Sequence, residues 1–226
     1  MENCIIFDLD GTLVDTAPDL MKAHNYVMRK YGYPEQPQKS IRFLAGRGAK
    51  QMIINSVITH DKIQNISNSK MINDMTKDFI NFYKNNISAK SQLNKNVIDL
   101  LRWCRKKNIH LAVCTNKPEY LAVKLLRELN IDSYFVFVAG SDTFEFKKPD
   151  PRHLTNILDI LEIKKNNSIM VGDSETDSEA AFQAKIKFIL VANGYTLKDE
   201  ENIKHDFLIN DFNLIKEISL ELLNIK

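Results

Sequence analysis

Cys4-Ile5-Ile6-Phe7-Asp8-Leu9-Asp10-Gly11-Thr12-Leu13-Val14-Asp15-Thr16 begins with strand-forming residues and breaks into an Asp-x-Asp pair followed by glycine. An apolar run ended by turn residues reads as a short buried strand entering a tight turn. Alternation along the strand puts Asp8 and Asp10 on one side and Leu9 on the other. Two carboxylates held so close repel each other, and either a proton on one of them or a cation between them relieves the repulsion. Magnesium suits such a site, because it needs few carboxylates and completes its shell with waters and phosphate oxygens. A solvated Asp-rich turn is the plain alternative. An EF-hand calcium loop does not fit, since its glycine belongs at the sixth position and a Glu at the twelfth.

The 226 residues suit one large domain, or a core with a smaller insertion. Hydrophobic residues make up 44% and charged residues 27%, the balance of an ordinary globular chain and not of a disordered one. Net charge is only +2, so nothing in it argues for nucleic acid, and a charged substrate has to be met locally. Cys4, Cys104 and Cys114 lie in apolar or strand-like contexts without CxxC spacing and read as buried free thiols of a reducing compartment. The chain enters its first strand without a basic region or cleavage site, and no apolar run approaches eighteen residues. A cytoplasmic protein with no membrane partner is the expectation.

Ala17-Pro18-Asp19-Leu20 opens a helix to about Tyr31, closed by Gly32. From there to about Asn86 the apolar spacing is helical, as in Met71, Met75, Phe79, Phe82 and Tyr83, so residues 17–88 read as an inserted α-helical cap. Residues 1–16 and 89–226 form the remainder. Within the cap, two glycines flank Arg47, which lets backbone approach a ligand and presents a guanidinium to an anion; a solvated loop arginine is the alternative.

Beyond the cap, helix and strand periods alternate: helix Val97–Lys107, strand His110–Cys114, helix Glu119–Leu129, strand Tyr134–Ala139, helix Pro151–Leu161, strand Ser168–Val171 and helix Asp177–Ala184. Short strands at Phe188–Val191 and Phe207–Ile209 precede a last helix, Leu214–Leu223. Strict alternation implies an α/β fold, a doubly wound, mainly parallel, Rossmann-like sheet. In such a sheet ligands bind beyond the carboxyl ends of the strands. Four strand ends carry distinctive residues: Asp8 and Asp10; Thr115 and Asn116; Lys148 ahead of Pro149; and Asp173, with Asp177 one helical turn on.

Each of these has an ordinary use of its own, as a helix cap, a loop lysine or a first-turn carboxylate. Together they suit phosphoryl transfer, where a dianion needs positive charge and donors, and the transition state needs positioning. Lys148 offers a point charge, Thr115 and Asn116 offer side-chain donors, and amides near Gly11 and Asn116 can point at phosphate oxygens. Asp173 opposite Asp8 completes a magnesium site that shields nucleophile from substrate. The histidines at 24, 60, 110, 153 and 205 lack metal-ligand spacing and read as packing or surface residues, His24 on the first cap helix being the one to check.

DLDGT, the Cys-Thr-Asn at the second strand, the lysine before Pro-x-Pro and VGDSxxD occur in the order of the capped haloacid dehalogenase-like hydrolases, which the chain resembles over nearly its whole length. The resemblance implies that Asp8 is a nucleophile forming an aspartyl-phosphate and Asp10 the general acid and base. It also implies that Asp8, Asp173 and the main-chain oxygen of Asp10 hold Mg2+, with Asp177 acting behind them or through water. Thr115, Asn116 and Lys148 would hold the phosphate of a small phosphate ester. DTAPDL at 15–20, GRGA at 46–49 and Asn193-Gly194-Tyr195 resemble the phosphoglycolate phosphatases of that superfamily, which implies 2-phosphoglycolate as substrate and Arg47 as partner of its carboxylate. A pyrophosphatase or a nucleotide or sugar phosphatase shares the same catalytic groups. A sugar phosphomutase resembles the first motif but carries a histidine where Leu20 stands. Two departures stand out: Leu93-Asn94-Lys95-Asn96 replaces the usual Pro-Gly return from the cap, and Ala184-Lys185 replaces Ala-Gly.

Overall fold

β1 (Asn3–Phe7) leads through the Asp-x-Asp turn into β2 (Val14–Asp15), and then α1 (Ala17–Lys30), α2 (Ile41–Leu44), α3 (Ala49–Asp61) and α4 (Lys70–Lys84) follow in succession. β3 (Gln92–Leu93) brings the chain back, and α5 (Val97–Lys106), β4 (Ile109–Cys114), α6 (Glu119–Glu128), β5 (Phe137–Ala139), α7 (Arg152–Ile160), β6 (Ser168–Gly172), α8 (Glu175–Ala184), β7 (Lys187–Val191), β8 (Phe207–Ile209) and α9 (Leu214–Leu222) complete it. This is a computed structural model describing residues 2–44, 46, 48–61, 70–196 and 198–225.

The six longer strands form a sheet of order β5-β4-β1-β6-β7-β8, every neighbouring pair parallel. Period-two alternation sorts their side chains. Ile5, Phe7, Leu111, Val113, Ile169 and Val171 face one core with α5, α6 and α9, while Cys4, Ile6, Ala112, Cys114 and Met170 face another with α7 and α8. All three cysteines are free and buried within these layers, and burial pushes the thiols of Cys4 and Cys104 up to about 12, as inert packing residues require. The architecture is the α/β one expected, with an inserted helical cap. In the cap, α1 and α3 pack on α4, burying Val27, Met28, Ile53, Val57, Ile72, Met75 and Phe79.

The links between cap and core are a two-residue antiparallel pair, Val14 with Leu93 and Asp15 with Gln92, too short to leave a periodic signal. Asn94 does the work of the missing Pro-Gly turn: its amide donates to the carbonyls of Gly11 (3.2 Å) and Thr12 (2.6 Å), and its backbone N–H to Leu13 (3.0 Å). DTAPDL lies at the same joint. Asp19, fully buried, accepts the N–H groups of Lys90 and Ser91 and the Ser91 hydroxyl, each at 2.8 Å, which ties the outgoing helix to the returning strand. The strand expected from Tyr134 is shorter, because Tyr134 N–H donates to Ile131 within a 3-10 turn and so is spent before the sheet edge begins. Helix α8 ends on Lys185 in the left-handed region, with φ 60° and ψ 42°, so a lysine takes the conformation that glycine adopts freely.

Candidate active site

Because β1 lies between β4 and β6, the residues just past the carboxyl ends of these three strands are neighbours. Asp8 follows β1, Thr115 follows β4 and Asp173 follows β6, and Asp8 N–H donates to Val171 O at 2.9 Å to continue the ladder to the rim. Lys148 comes from the loop after β5, beside its cis peptide bond to Pro149. Its ammonium is buried 2.6 Å from Asp177 Oδ1 and 2.9 Å from Asp8 Oδ1. Burial opposes that charge, but Asp177 and then Asp8 outweigh it and hold the lysine well above its ordinary value.

Asp8, Asp173 and Asp177 each offer an oxygen within 4.8 Å of the others. Burial, only partly offset by Lys148 and reinforced by Asp177, pushes the Asp8 carboxyl up to about 7. Burial, then repulsion from Asp8 and Asp177, raises Asp173 as well, against the Thr12 hydroxyl at 2.5 Å and the Tyr195 N–H at 2.7 Å that its two oxygens accept. Asp8 Oδ1 is buried with the Lys148 ammonium at 2.9 Å as its partner. The clustered hard oxygens of three carboxylates sharing that one ammonium, among the described residues, fit a divalent cation of the magnesium kind. Gly11, at φ +88°, and Gly194 allow the close approach: a Cβ on either would come within 2.4 Å and 2.3 Å of Asp173 atoms.

The other sequence-predicted residues divide between this rim and the space under the cap. Asp177 spends Oδ1 on Lys148 and Oδ2 on Ser174, whose N–H (3.1 Å) and hydroxyl (2.6 Å) close a capping box at the start of α8. It therefore supports the lysine. Asp10 turns its Oδ1 to the Thr16 hydroxyl (2.7 Å) and to the Lys117 ammonium, and no described group bonds its Oδ2. Gly11 N–H is taken by Val14 O (2.9 Å), so the described contribution of this glycine is clearance. Thr115 accepts Lys117 N–H at 3.2 Å, and Asn116 donates at 3.0 Å both to Gly46 O of the cap and to Lys148 O. Arg47 lies outside the described residues.

Under the cap, Leu20, Gly46, Gly48, Ala49, Met52, Phe79, Ile80 and Tyr83 line a cleft of about 70 Å³ against Asp8, Asp10, Thr115, Asn116, Lys117, Pro118 and Leu121. Two residues at the site went unassigned in the sequence. Lys117 directly follows the Cys-Thr-Asn of the second strand, and only that place at the strand's carboxyl end could have marked it. His153 looked like one more scattered histidine, yet its Nδ1 accepts Lys148 N–H and its Nε2 donates to Gly140 O, both at 3.1 Å, which fixes the neutral tautomer and the lysine loop. His24, by contrast, is buried inside the cap on Ser56 (2.7 Å) and Asn25 (3.0 Å), away from the site.

Comparison with known proteins agrees with this arrangement. The sequence profile of the haloacid dehalogenase-like hydrolases matches residues 5–191. The chain is 33% identical to a phosphoglycolate phosphatase of Mesorhizobium japonicum over 93% of its own length and 92% of that protein's. It is 36% identical to one of Agrobacterium fabrum over 92% and 88%. The crystal structure of a predicted phosphoglycolate phosphatase from Haemophilus somnus superposes with a TM-score of 0.90 at 26% identity, covering 96% of this chain and 98% of that one. With the strand-end carboxylates, the buried lysine and the helical cap in one arrangement, the chain belongs to the haloacid dehalogenase-like hydrolases, as one of their phosphatases.

Proposed function

We propose that the protein hydrolyses 2-phosphoglycolate to glycolate and phosphate, depends on magnesium and works through an aspartyl-phosphate on Asp8. The observation that carries the reading is the placing of Asp8: it lines, with Asp10, the cavity under the cap, and it is at once paired with the buried Lys148 and clustered with Asp173 and Asp177 as a cation site requires. The relatives named phosphoglycolate phosphatase, matched over nine-tenths of this chain, point to the same substrate.

In the reading, Asp8 attacks phosphorus in line with the ester oxygen, the P–O bond to the leaving group breaks, and Asp10 gives its proton to the departing alkoxide. Asp10 then takes a proton from water, which attacks the aspartyl-phosphate and releases phosphate from Asp8. Mg2+, held by Asp8, Asp173 and the Asp10 carbonyl, would supply charge that lets a carboxylate approach a phosphate dianion. Lys148 neutralises the phosphate from the other side, aimed by Asp177 and His153. Thr115 and Asn116 line the cavity floor beside it, with Asn116 on reaching the cap through Gly46. The paired linkers at residues 14–15 and 92–93 support dividing the chain into core 1–16 and 89–226 and cap 17–88, with the cap, including Arg47, setting specificity. Among the described residues no helix is long and apolar enough to cross a membrane.

The test is phosphate release from a panel of phosphomonoesters, with and without magnesium, against Asp8→Asn protein as background. 2-Phosphoglycolate is expected to lead in kcat/KM by about tenfold or more, and only with magnesium. A broad profile, or one led by a nucleotide or pyrophosphate, removes the substrate assignment.

A further inference from the structure

Lys117 is the only cation among the described residues lining the cavity, and its side chain is 4% exposed. Its partners differ from those of Lys148, which Asp177 and Asp8 hold at the phosphate end. Its ammonium meets Asp10 Oδ1 and donates to Tyr83 Oη of cap helix α4 at 2.9 Å, lying 4.7 Å from the centre of the Tyr83 ring. The rest of that wall is Leu20, Met52, Phe79, Ile80 and Leu121. An ammonium stays charged among such residues only while anions and hydrogen-bond acceptors surround it.

The donors can be counted. A lysine ammonium carries three N–H groups, and Asp10 and Tyr83 take two of them. Tyr83 Oη accepts from Lys117, so its own proton remains to be donated, and no described group takes it. Two free donors, one N–H and one O–H, therefore converge beside Asp10, the group that meets the leaving oxygen in the proposed reaction. A pair of donors beyond that oxygen, in an otherwise apolar wall, matches the two oxygens of a carboxylate one carbon further along the leaving group.

We propose that Lys117 and Tyr83 form the subsite that recognises an anionic end, a carboxylate, on the leaving group. The inference rests on the phosphatase reading of the site and deepens it. It places the selection for charge on the loop after β4 and on α4, so the subsite is complete only when core and cap are together. Asn116 supports the same closure, since the adjacent residue on that loop donates to Gly46 O of the cap.

The experiment compares kcat/KM for 2-phosphoglycolate with that for 2-hydroxyethyl phosphate, an ester of the same length with a neutral end, in wild type, Lys117→Met and Tyr83→Phe. Loss of the Asp10 contact affects both esters, so the ratio is the readout. Lys117→Met should lower the anionic-to-neutral ratio by about 10- to 100-fold, and Tyr83→Phe by about 3- to 10-fold, mainly through KM for the anionic ester. A ratio unchanged in both variants overturns the inference. Should Lys117→Met lack a cooperative melt, Tyr83→Phe, which removes one oxygen atom, decides alone. Wild-type preference for another carboxylate-bearing ester, with the ratio collapsing in the variants, would remove 2-phosphoglycolate and keep the subsite. Preference for 2-phosphoglycolate with unmoved ratios would do the reverse, and no wild-type preference for anionic esters overturns both.

Discussion

The Lys148 ammonium is 2.6 Å from the Asp177 carboxylate, and both side chains are buried. Asp177 also closes the capping box on Ser174, so one carboxylate aims the lysine and starts helix α8. Asp177→Asn leaves the ammonium with Asp8 alone. Breaking one side of a buried pair costs about 3–5 kcal/mol, softened here by the remaining partner to about 2–3 kcal/mol. Turnover should fall at least about 100-fold through kcat, since the lysine no longer has a fixed position. Urea melts and initial rates check both; a variant with native stability and activity would show that Asp177 does not hold the lysine.

Three carboxylates crowd a single ammonium at the rim, and after burial their mutual repulsion helps to raise Asp8 and Asp173. Asp8→Asn removes one charge and keeps Lys148 paired with Asp177. Turnover should be lost, yet metal-free protein should melt higher, by roughly 2–8 °C for 1–2 kcal/mol of relieved repulsion. Added magnesium should raise the melting temperature of wild type and do so much less for the variant. Differential scanning with chelator and with magnesium separates the outcomes, and a lower metal-free melting temperature for Asp8→Asn would count against the repulsion.

His153 carries a pH dependence whose sign follows from its burial. Burial, then the nearby Lys148, holds its pKa down to about 4, and burial lowers His24 too. A histidine depressed in the folded state contributes stability that is present above its unfolded value, about 6.5, and is lost as pH falls toward its folded value. Between pH 7 and pH 5 the His153 contribution should fall by about 2 kcal/mol. Asp8 acts in the opposite sense, because a raised carboxylate gives up stability as pH climbs. The measurement is therefore the difference in unfolding free energy between wild type and His153→Gln at the two pH values, in which Asp8 cancels. A difference independent of pH would sink the assignment.

The core of the site was legible because its parts obey local rules that topology then multiplies. An apolar strand ending in Asp8-x-Asp10, a lysine before Pro149 and a first-turn Asp177 each have ordinary uses, and a parallel sheet brings their strand ends to one rim. What escaped the sequence depends on partners far along the chain. Lys117 gains meaning only from Tyr83, thirty-four positions away, and Asp19 only from Ser91, seventy-two away. The β2–β3 pair is two residues long on each side, below any periodic signal. Asn94 stands in place of a Pro-Gly turn, and only the fold shows that its amide seals the joint by bonding Gly11 and Thr12.

Lys185 is the departure whose consequence can be measured without touching the chemistry. It sits at φ 60° and ψ 42°, where its N–H caps the end of α8 on Ala181 and Phe182 carbonyls. A residue with a Cβ pays about 1–2 kcal/mol in this region, and glycine does not. Glycine's greater freedom in the unfolded chain takes back roughly 0.5–1 kcal/mol. Lys185→Gly should therefore stabilise the protein by about 0.5–1 kcal/mol, or roughly 1–4 °C in melting temperature, with kcat and KM unchanged. Lys185→Ala, which keeps the Cβ, should give no such gain, and an equal rise in both variants would place the effect in the lysine's charge and not in the backbone.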